Sequence, residues 1–253
     1  MQDKRIKGEN IEIDYSDTLS FFDSRGNNTP LKHKYNYVLF QDEQPELAIE
    51  RDCSEKRKIN SVLTYQAGEC VLDIGCGVGR WGEDILERGV NYVGIDYSER
   101  LLEIAKENLN NYKHNCTLLH SSVQNMMEKL SQADLLKRYD KIFINGVLMY
   151  LNDNDLIECM NNLCELISLH NGTIYIKESV ASEERLTLNR FYSKDLKHDY
   201  TAIYRTVSEY DVIIKKYLKD RCGFSYLSRG ELFENELKNR KETLDYYYIL
   251  QKG

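Results

Sequence analysis

The sequence contains no CxxC pair. Its seven cysteines, at positions 53, 70, 76, 116, 159, 164 and 222, are scattered and odd in number. That pattern offers neither a zinc site nor a disulfide framework, so no metal is expected and the thiols read as buried and reduced. Excess positive charge is missing too: a formal net charge of −7 provides no field to draw nucleic-acid phosphates. No run approaches ~18 apolar residues, and the N-terminal MQDKRIKGENIEIDYSD has no apolar signal core. A soluble, cytoplasmic protein without a membrane or nucleic-acid partner is therefore expected. Proline is scarce: Pro30 and Pro45 are the only two, each beside a turn-rich stretch, SRGNNTP and DEQP. Internal repeats and low-complexity tracts are absent.

What is present suffices for a full core. With 42% hydrophobic residues, the 253-residue chain fits one sizeable α/β domain with a small appendage. Residues 1–60 read as a polar leader or cap, ending in a loosely amphipathic helix after Pro45. Residues 61–253 then alternate strand and helix. CVLDI, NYVGID, CTLLHS, YDKIFINGV and TIYIKESV are short apolar strands, and the segments between them are helical. Ser98 is a natural N-cap for SERLLEIAKENLNNY. At about 181–215 the rhythm breaks, and the tyrosine-rich, charged FYSKDLKHDYTAIYRTVSEY suits a lid-like insertion. GFSYLS and TLDYYYILQKG complete about seven strands. The expected fold is α/β: a doubly wound, mostly parallel sheet with an antiparallel terminal strand and helices on both faces.

The stretch VLDIGCGVGRWG carries two overlapping glycine patterns between a strand and a helix. From Asp73 it reads D-x-G-x-G-x-G through Gly75, Gly77 and Gly79. From Gly77 it reads G-x-G-x-x-G, ending at Gly82. The second pattern belongs to dinucleotides, whose pyrophosphate sits on a helix N-terminus. A carboxylate at Asp73, just ahead of that turn, is a poor neighbour for pyrophosphate and a good one for an ammonium group. Asp96 closes the next strand, where a carboxylate accepts hydrogen bonds from ribose hydroxyls in either case.

VLDIGCGVGRW, YVGIDYSERLLEIAKENL and YDKIFINGVLMYLND, in that order, resemble the motif series of class I, Rossmann-like, S-adenosylmethionine-dependent methyltransferases, over about Val62 to Val180. The resemblance implies that Asp73 and the turn of Gly75, Cys76, Gly77 and Gly79 hold the methionine part of the cofactor. Asp96 would grip the ribose and Tyr97 pack on the adenine. Ser122 and Val123, with Ser121 as neighbour, occupy the adenine-reading position, where relatives often carry an acid. Asn145 would face the transferred methyl group. Among arginines, Arg25 ranks ahead of Arg51 and Arg80 for the cofactor carboxylate.

Methyl transfer from a sulfonium needs alignment above all, and a hydroxyl acceptor gains from a base. No HxxxD or Cys–His arrangement supplies one, so Tyr150, Glu178 and His198 are the catalytic candidates. Tyr200, Tyr204 and Arg205 are the substrate-binding candidates, the guanidinium suiting a phosphate or carboxylate. FFDSRG, FQDEQPELAIERD and GVLMYLND further resemble a bacterial subgroup associated with cell-surface (capsule) polysaccharide precursors, implying O-methylation of an anionic sugar nucleotide or phosphate derivative. A nicotinamide-dependent oxidoreductase and a protein or RNA methyltransferase are the alternatives. The INGV of the fourth strand lacks the NPPY form of amide-nitrogen methylation.

Overall fold

The computed structural model describes residues 5–27, 33–39, 44–193, 198–238 and 240–253, so Pro30 lies outside it. Strands β1 (Arg5–Lys7) to β10 (Thr243–Lys252) form two sheets. The larger contains β2 (Cys70–Ile74), β3 (Asn91–Asp96), β4 (Cys116–His120), β5 (Lys141–Asn145), β6 (Thr173–Ala181), β9 (Phe224–Glu231) and β10. Its order is β4-β3-β2-β5-β6-β10-β9. The first five strands in that order pair in parallel, and β10 runs antiparallel to β6 and β9. The near-continuous apolar strands follow from burial on both faces. Leu72, Ile74, Ile142, Ile144, Ile174 and Ile176 join the core on one side. Val71, Tyr92, Phe143, Tyr175 and Ile249 alternate with them into the core on the other.

Helices α3 (Pro45–Asn60), α4 (Arg80–Leu86), α5 (Glu99–Asn108), α6 (Met126–Gln132), α7 (Asp153–Leu166) and α8 (Val207–Ile214) surround this sheet, after α1 (Tyr15–Asn27) and α2 (Asn36–Leu39) of the leader. Leu156, Cys159, Met160, Leu163 and Leu166 give α7 the stripe that buries it. Ser98 caps α5 by accepting from Leu101 N–H, and Thr206 and Glu209 form a capping box at α8. Strand order reverses between β2 and β5, where such sheets hold their ligands.

Between β6 and α8 the chain leaves the main sheet. The excursion from the main sheet is the hairpin of β7 (Leu186–Ser193) and β8 (His198–Tyr204), to which β1 adds a third, antiparallel strand. α8, within the expected span, packs into the main core through Tyr210 and Ile214, because its apolar residues find the sheet. It continues as a wider π-helical stretch, Lys215–Asp220. The leader is also more ordered than its polarity suggests. α1 lies across α5 and β8, held by Tyr15 to Asp155, by Ser98 to Asp23 (2.6 Å), by Arg190 to Asp17 (2.7 Å) and by Arg100 to Asn27 (2.8 Å).

The cysteine expectation needs two corrections: Cys53 is exposed, with Cys70 and Cys116 only partly buried, and two of the seven thiols are not reduced. Cys164 at the end of α7 is disulfide-bonded to Cys222, 58 residues on, while Cys53, Cys70, Cys76, Cys116 and Cys159 are free. No spacing rule could pair them, since the fold alone brings α7 beside the π-helical stretch. Among the described residues no helix is long and apolar enough to cross a membrane.

Candidate active site

A cavity of about 540 Å³ opens at the strand-order reversal, within the range of small-molecule sites. Its floor is the turn after β2. Gly75 and Cys76 N–H both donate to Ile95 C=O, at 2.7 and 3.0 Å, which folds the turn back over β3. Gly75 has a φ of +73°, and a Cβ there would lie 2.2 Å from Val147 Cγ2. Only glycine permits that approach. Gly82, by contrast, lies inside α4, where a Cβ would press on Leu109 and the Tyr92 ring. It serves helix packing, and the dinucleotide pattern ending there is no second turn.

Two buried carboxylates face the cavity from adjacent strands. Asp73 accepts the Tyr92 hydroxyl at 2.7 Å, and burial pushes it up to about 7 against the pull of that bond and of Arg80. Asp96 accepts Gly77 N–H at 2.8 Å and Ser98 N–H at 2.9 Å. Burial still raises it to about 6. Asp96 therefore fixes the turn with one oxygen and the start of α5 with the other.

The cavity also gathers Gly77, Tyr97, Ser122, Val123, Asn145, Tyr150 and Tyr200 from the expected set. Gly79 stands behind them as the residue before α4, with Leu109 against it. Four residues on the lining have buried polar atoms without a hydrogen-bond partner among the described residues: Thr18 Oγ1, Trp81 Nε1, Tyr97 Oη and both side-chain heteroatoms of Asn145. Tyr150 and Tyr200 share a 2.6 Å hydroxyl contact.

Other expectations are corrected. Arg25 is buried away from the cavity, donating to the Tyr37 and Asn36 carbonyls and so bracing α1 on α2. Arg205 is wholly buried and does not line the cavity. It binds Asp153 and the carbonyls of Leu148 (2.9 Å) and Leu151 (2.7 Å), holding the segment after β5 to β8. Tyr204 packs in the apolar cluster beneath the hairpin and does not line the cavity. His198 lies edge-on to Phe21, also off the lining. Glu178 accepts N–H from Val147 (3.0 Å), Leu148 (2.9 Å) and Met149 (3.2 Å), which makes it a brace and not a base. Burial pushes the Tyr150 and Tyr200 phenols far above their usual range, so neither is a base near neutrality.

Arg80 is likewise engaged, with Asp52 at 2.7 Å and Glu55 at 2.9 Å, tying α3 to the cofactor-side turn. The feature that sequence reasoning missed lies across β6 and β10. Arg51, Lys177 and Arg240 line the cavity around one carboxylate, Asp245. Arg51 reaches it at 2.6 Å and Lys177 at 3.3 Å. Burial alone would raise Asp245, yet Lys177, Arg51 and Arg240 hold it well below the usual carboxylate range. With Arg80 and Glu55 counted beside them, the cations on this wall still outnumber the carboxylates, which leaves a positive basin. Arg51 and Arg240 come from opposite ends of the chain, so no local motif announces the group.

A family model described as "Methyltransferase domain" matches residues 66–251. The chain belongs to this family. It is a class I, S-adenosylmethionine-dependent methyltransferase domain, and its strand order and antiparallel β10 agree with that fold. The chain is 25% identical over 210 residues to phosphoethanolamine N-methyltransferase 3 of Arabidopsis thaliana, covering 81% of this chain and 40% of that protein. It is 29% identical over 127 residues to alpha N-terminal protein methyltransferase 1 of Schizosaccharomyces pombe, covering 48% and 54%. The methyltransferase domain thus spans less than two thirds of these relatives' length. A similar fold is found in Haemonchus contortus phosphoethanolamine N-methyltransferase 1, solved with phosphoethanolamine and S-adenosylhomocysteine. The TM-score is 0.68 at 19% identity, covering 93% of this chain and 48% of that one. The N-methyltransferase NodS of Bradyrhizobium japonicum, solved with S-adenosylhomocysteine, gives 0.60 at 13%, covering 93% and 98%.

Proposed function

We propose that this domain binds S-adenosylmethionine over the Gly75–Gly79 turn and methylates a small acceptor that carries an anionic group. The observation that carries the acceptor class is the basin of Arg51, Lys177 and Arg240 beside Asp245 and Glu55. A phosphate or carboxylate entering there gains charge-assisted hydrogen bonds. The cofactor supplies an activated sulfonium methyl, and the residues supply position. Asp73 faces its ammonium group, Asp96 its ribose hydroxyls and Tyr97 its adenine. Solved neighbours that hold S-adenosylhomocysteine support this reading.

Names among the relatives point to phosphorylated amines. The anionic sugar nucleotide of a surface polysaccharide, methylated on oxygen, would use the same basin. A cavity shared with the cofactor favours the smaller acceptor. The test is methyl transfer from labelled S-adenosylmethionine to matched pairs: phosphoethanolamine against ethanolamine, and a sugar nucleotide against the free sugar. The phosphorylated member of a pair should be methylated, and Lys177→Ala should raise its KM roughly tenfold, the scale of one charge-assisted bond. Equal turnover of both members of each pair would refute an anionic acceptor.

A pH dependence follows from Asp73. Its carboxyl, raised to about 7 by burial, must be ionised to pair with an ammonium. Cofactor affinity should therefore be full above pH 7 and fall as pH drops, by up to about tenfold per unit for one proton. Calorimetric titration with S-adenosylhomocysteine between pH 5.5 and 8 measures it. Flat affinity over that window would remove Asp73 from the ammonium.

A further inference from the structure

One donor beside the cofactor-side turn is unspent. Trp81, the only tryptophan of the chain, is 2% exposed and lines the cavity. Its Nε1–H has no hydrogen-bond partner among the described residues, although buried polar atoms are ordinarily paired. The indole lies against the rings of Phe143, at 5.2 Å between centroids, and Tyr175, at 5.6 Å. Phe143 of β5 stands opposite Asp73 of β2 on one side and Tyr175 of β6 on the other. Residues level with one another in a parallel sheet project to the same face. The indole and the Asp73 carboxylate therefore share one side of the sheet.

The donors around it are occupied. In the turn, Gly75 and Cys76 N–H go to Ile95 C=O, Gly77 N–H to Asp96, and Gly79 N–H to Cys76 C=O. Arg80 spends Nη1 on Asp52 and Glu55, and Nη2 on Glu55. Distance sets the others apart. The ammonium and carboxylate of an α-amino acid hang on one carbon, ~3 Å from each other. With the ammonium hydrogen-bonded to Asp73, the carboxylate lies within about 6 Å of that side chain. Adjacent strands are ~4.8 Å apart, so this reach covers β5, one strand over, where Trp81 rests on Phe143. The basin on β6 and β10 is two and three strands over. Asn145 stands ~6.6 Å further along β5 than Phe143, which is level with Asp73.

We propose that Trp81 Nε1–H donates to the α-carboxylate of the bound cofactor, the contact expected of an arginine. This rests on the S-adenosylmethionine reading above and completes its amino-acid end. Asp73 takes the ammonium and the indole takes the carboxylate. The Phe143 and Tyr175 rings keep water from the new bond, and a hydrogen bond gains strength in such low-dielectric surroundings. A neutral donor suits the place, since a cation there would compete with the ammonium for Asp73. The cations of the basin are left for the acceptor.

The experiment compares S-adenosylhomocysteine with its decarboxylated analogue, S-adenosyl-3-thiopropylamine, which keeps the amine and lacks the carboxylate. By calorimetry, wild type should bind S-adenosylhomocysteine about tenfold more tightly than the analogue, the scale of one charge-assisted bond. Trp81→Phe should bring S-adenosylhomocysteine down to the level of the analogue and leave the analogue unchanged. A second measurement needs no variant to fold. With one tryptophan in the chain, nitrogen-15 labelling gives a single indole N–H resonance. It should move downfield with S-adenosylhomocysteine and far less with the analogue. Equal weakening of both ligands by Trp81→Phe, weakening of neither, or an indole resonance that answers both alike would overturn the role of Trp81. Any of these in a protein that binds S-adenosylhomocysteine overturns this inference alone. Failure of wild type to bind S-adenosylhomocysteine removes the methyltransferase reading and this one with it.

Discussion

Glu178→Ala should cost the domain about 4 kcal/mol of folding stability, the scale for stripping a buried carboxylate from its donors. The reason is a three-to-one arrangement. The N–H groups of Val147, Leu148 and Met149 all point at this carboxylate from the turn that follows β5. Alanine leaves them buried without an acceptor. For a chain of this size the loss corresponds to a melting temperature lower by roughly 8–16 °C. Glu178→Gln separates the causes. Its carbonyl oxygen can still serve Val147 and Leu148, which share Oε1, but its NH₂ opposes the Met149 N–H. A loss of about 1–2 kcal/mol is expected there. Denaturant unfolding of the three proteins decides. A Glu178→Ala midpoint that matches wild type would mean that the brace is ornamental, and the base role would return to consideration.

The second large effect concerns Asp96. Asp96→Ala should weaken S-adenosylhomocysteine binding by about 3 kcal/mol, roughly 150-fold, with little change in the binding of phosphate. Two losses combine. The ribose hydroxyls lose a charged acceptor, and Gly77 N–H loses the 2.8 Å bond that shapes the turn. Asp96→Asn keeps one acceptor oxygen and should fall between. Calorimetry at pH 8, above the raised range of Asp96, keeps titration out of the comparison. Wild-type affinity in the alanine variant would dismantle the proposed ribose contact.

Much of this architecture is legible in the sequence for a local reason. β2, β3 and β5 are short apolar runs buried on both faces, and each ends at the cavity in a residue that breaks the pattern: Gly75 after Ile74, Asp96, Asn145. A chain-local signal also marks the Ser98 cap. What stayed hidden depends on distant segments meeting. Arg205 looked like an anion ligand because its neighbours are tyrosines and threonine, yet the fold carries Asp153 and two carbonyls to it and leaves nothing to spare. Arg25 was misread for the same reason. Conversely, Lys177 and Asp245 look like ordinary alternating residues of two strands. Only the antiparallel pairing of β6 and β10, with α3 laid over them, makes them a charged floor. The Cys164–Cys222 pair belongs to this class as well.

The leader helix has a consequence for traffic. Tyr15, Ser16, Thr18, Leu19 and Phe22 line the cavity, so α1 forms one of its walls. The tethers to Asp155 and Ser98 are part-buried, while those to Arg190 and Arg100 are exposed and worth ~0–1 kcal/mol each. The apolar contacts of Phe21 and Phe22 do most of the holding. Such a helix undocks at a fraction of the global unfolding cost. Thinning that wall by Phe22→Ala is therefore expected to shorten the residence time of a bound ligand, measured by stopped-flow displacement.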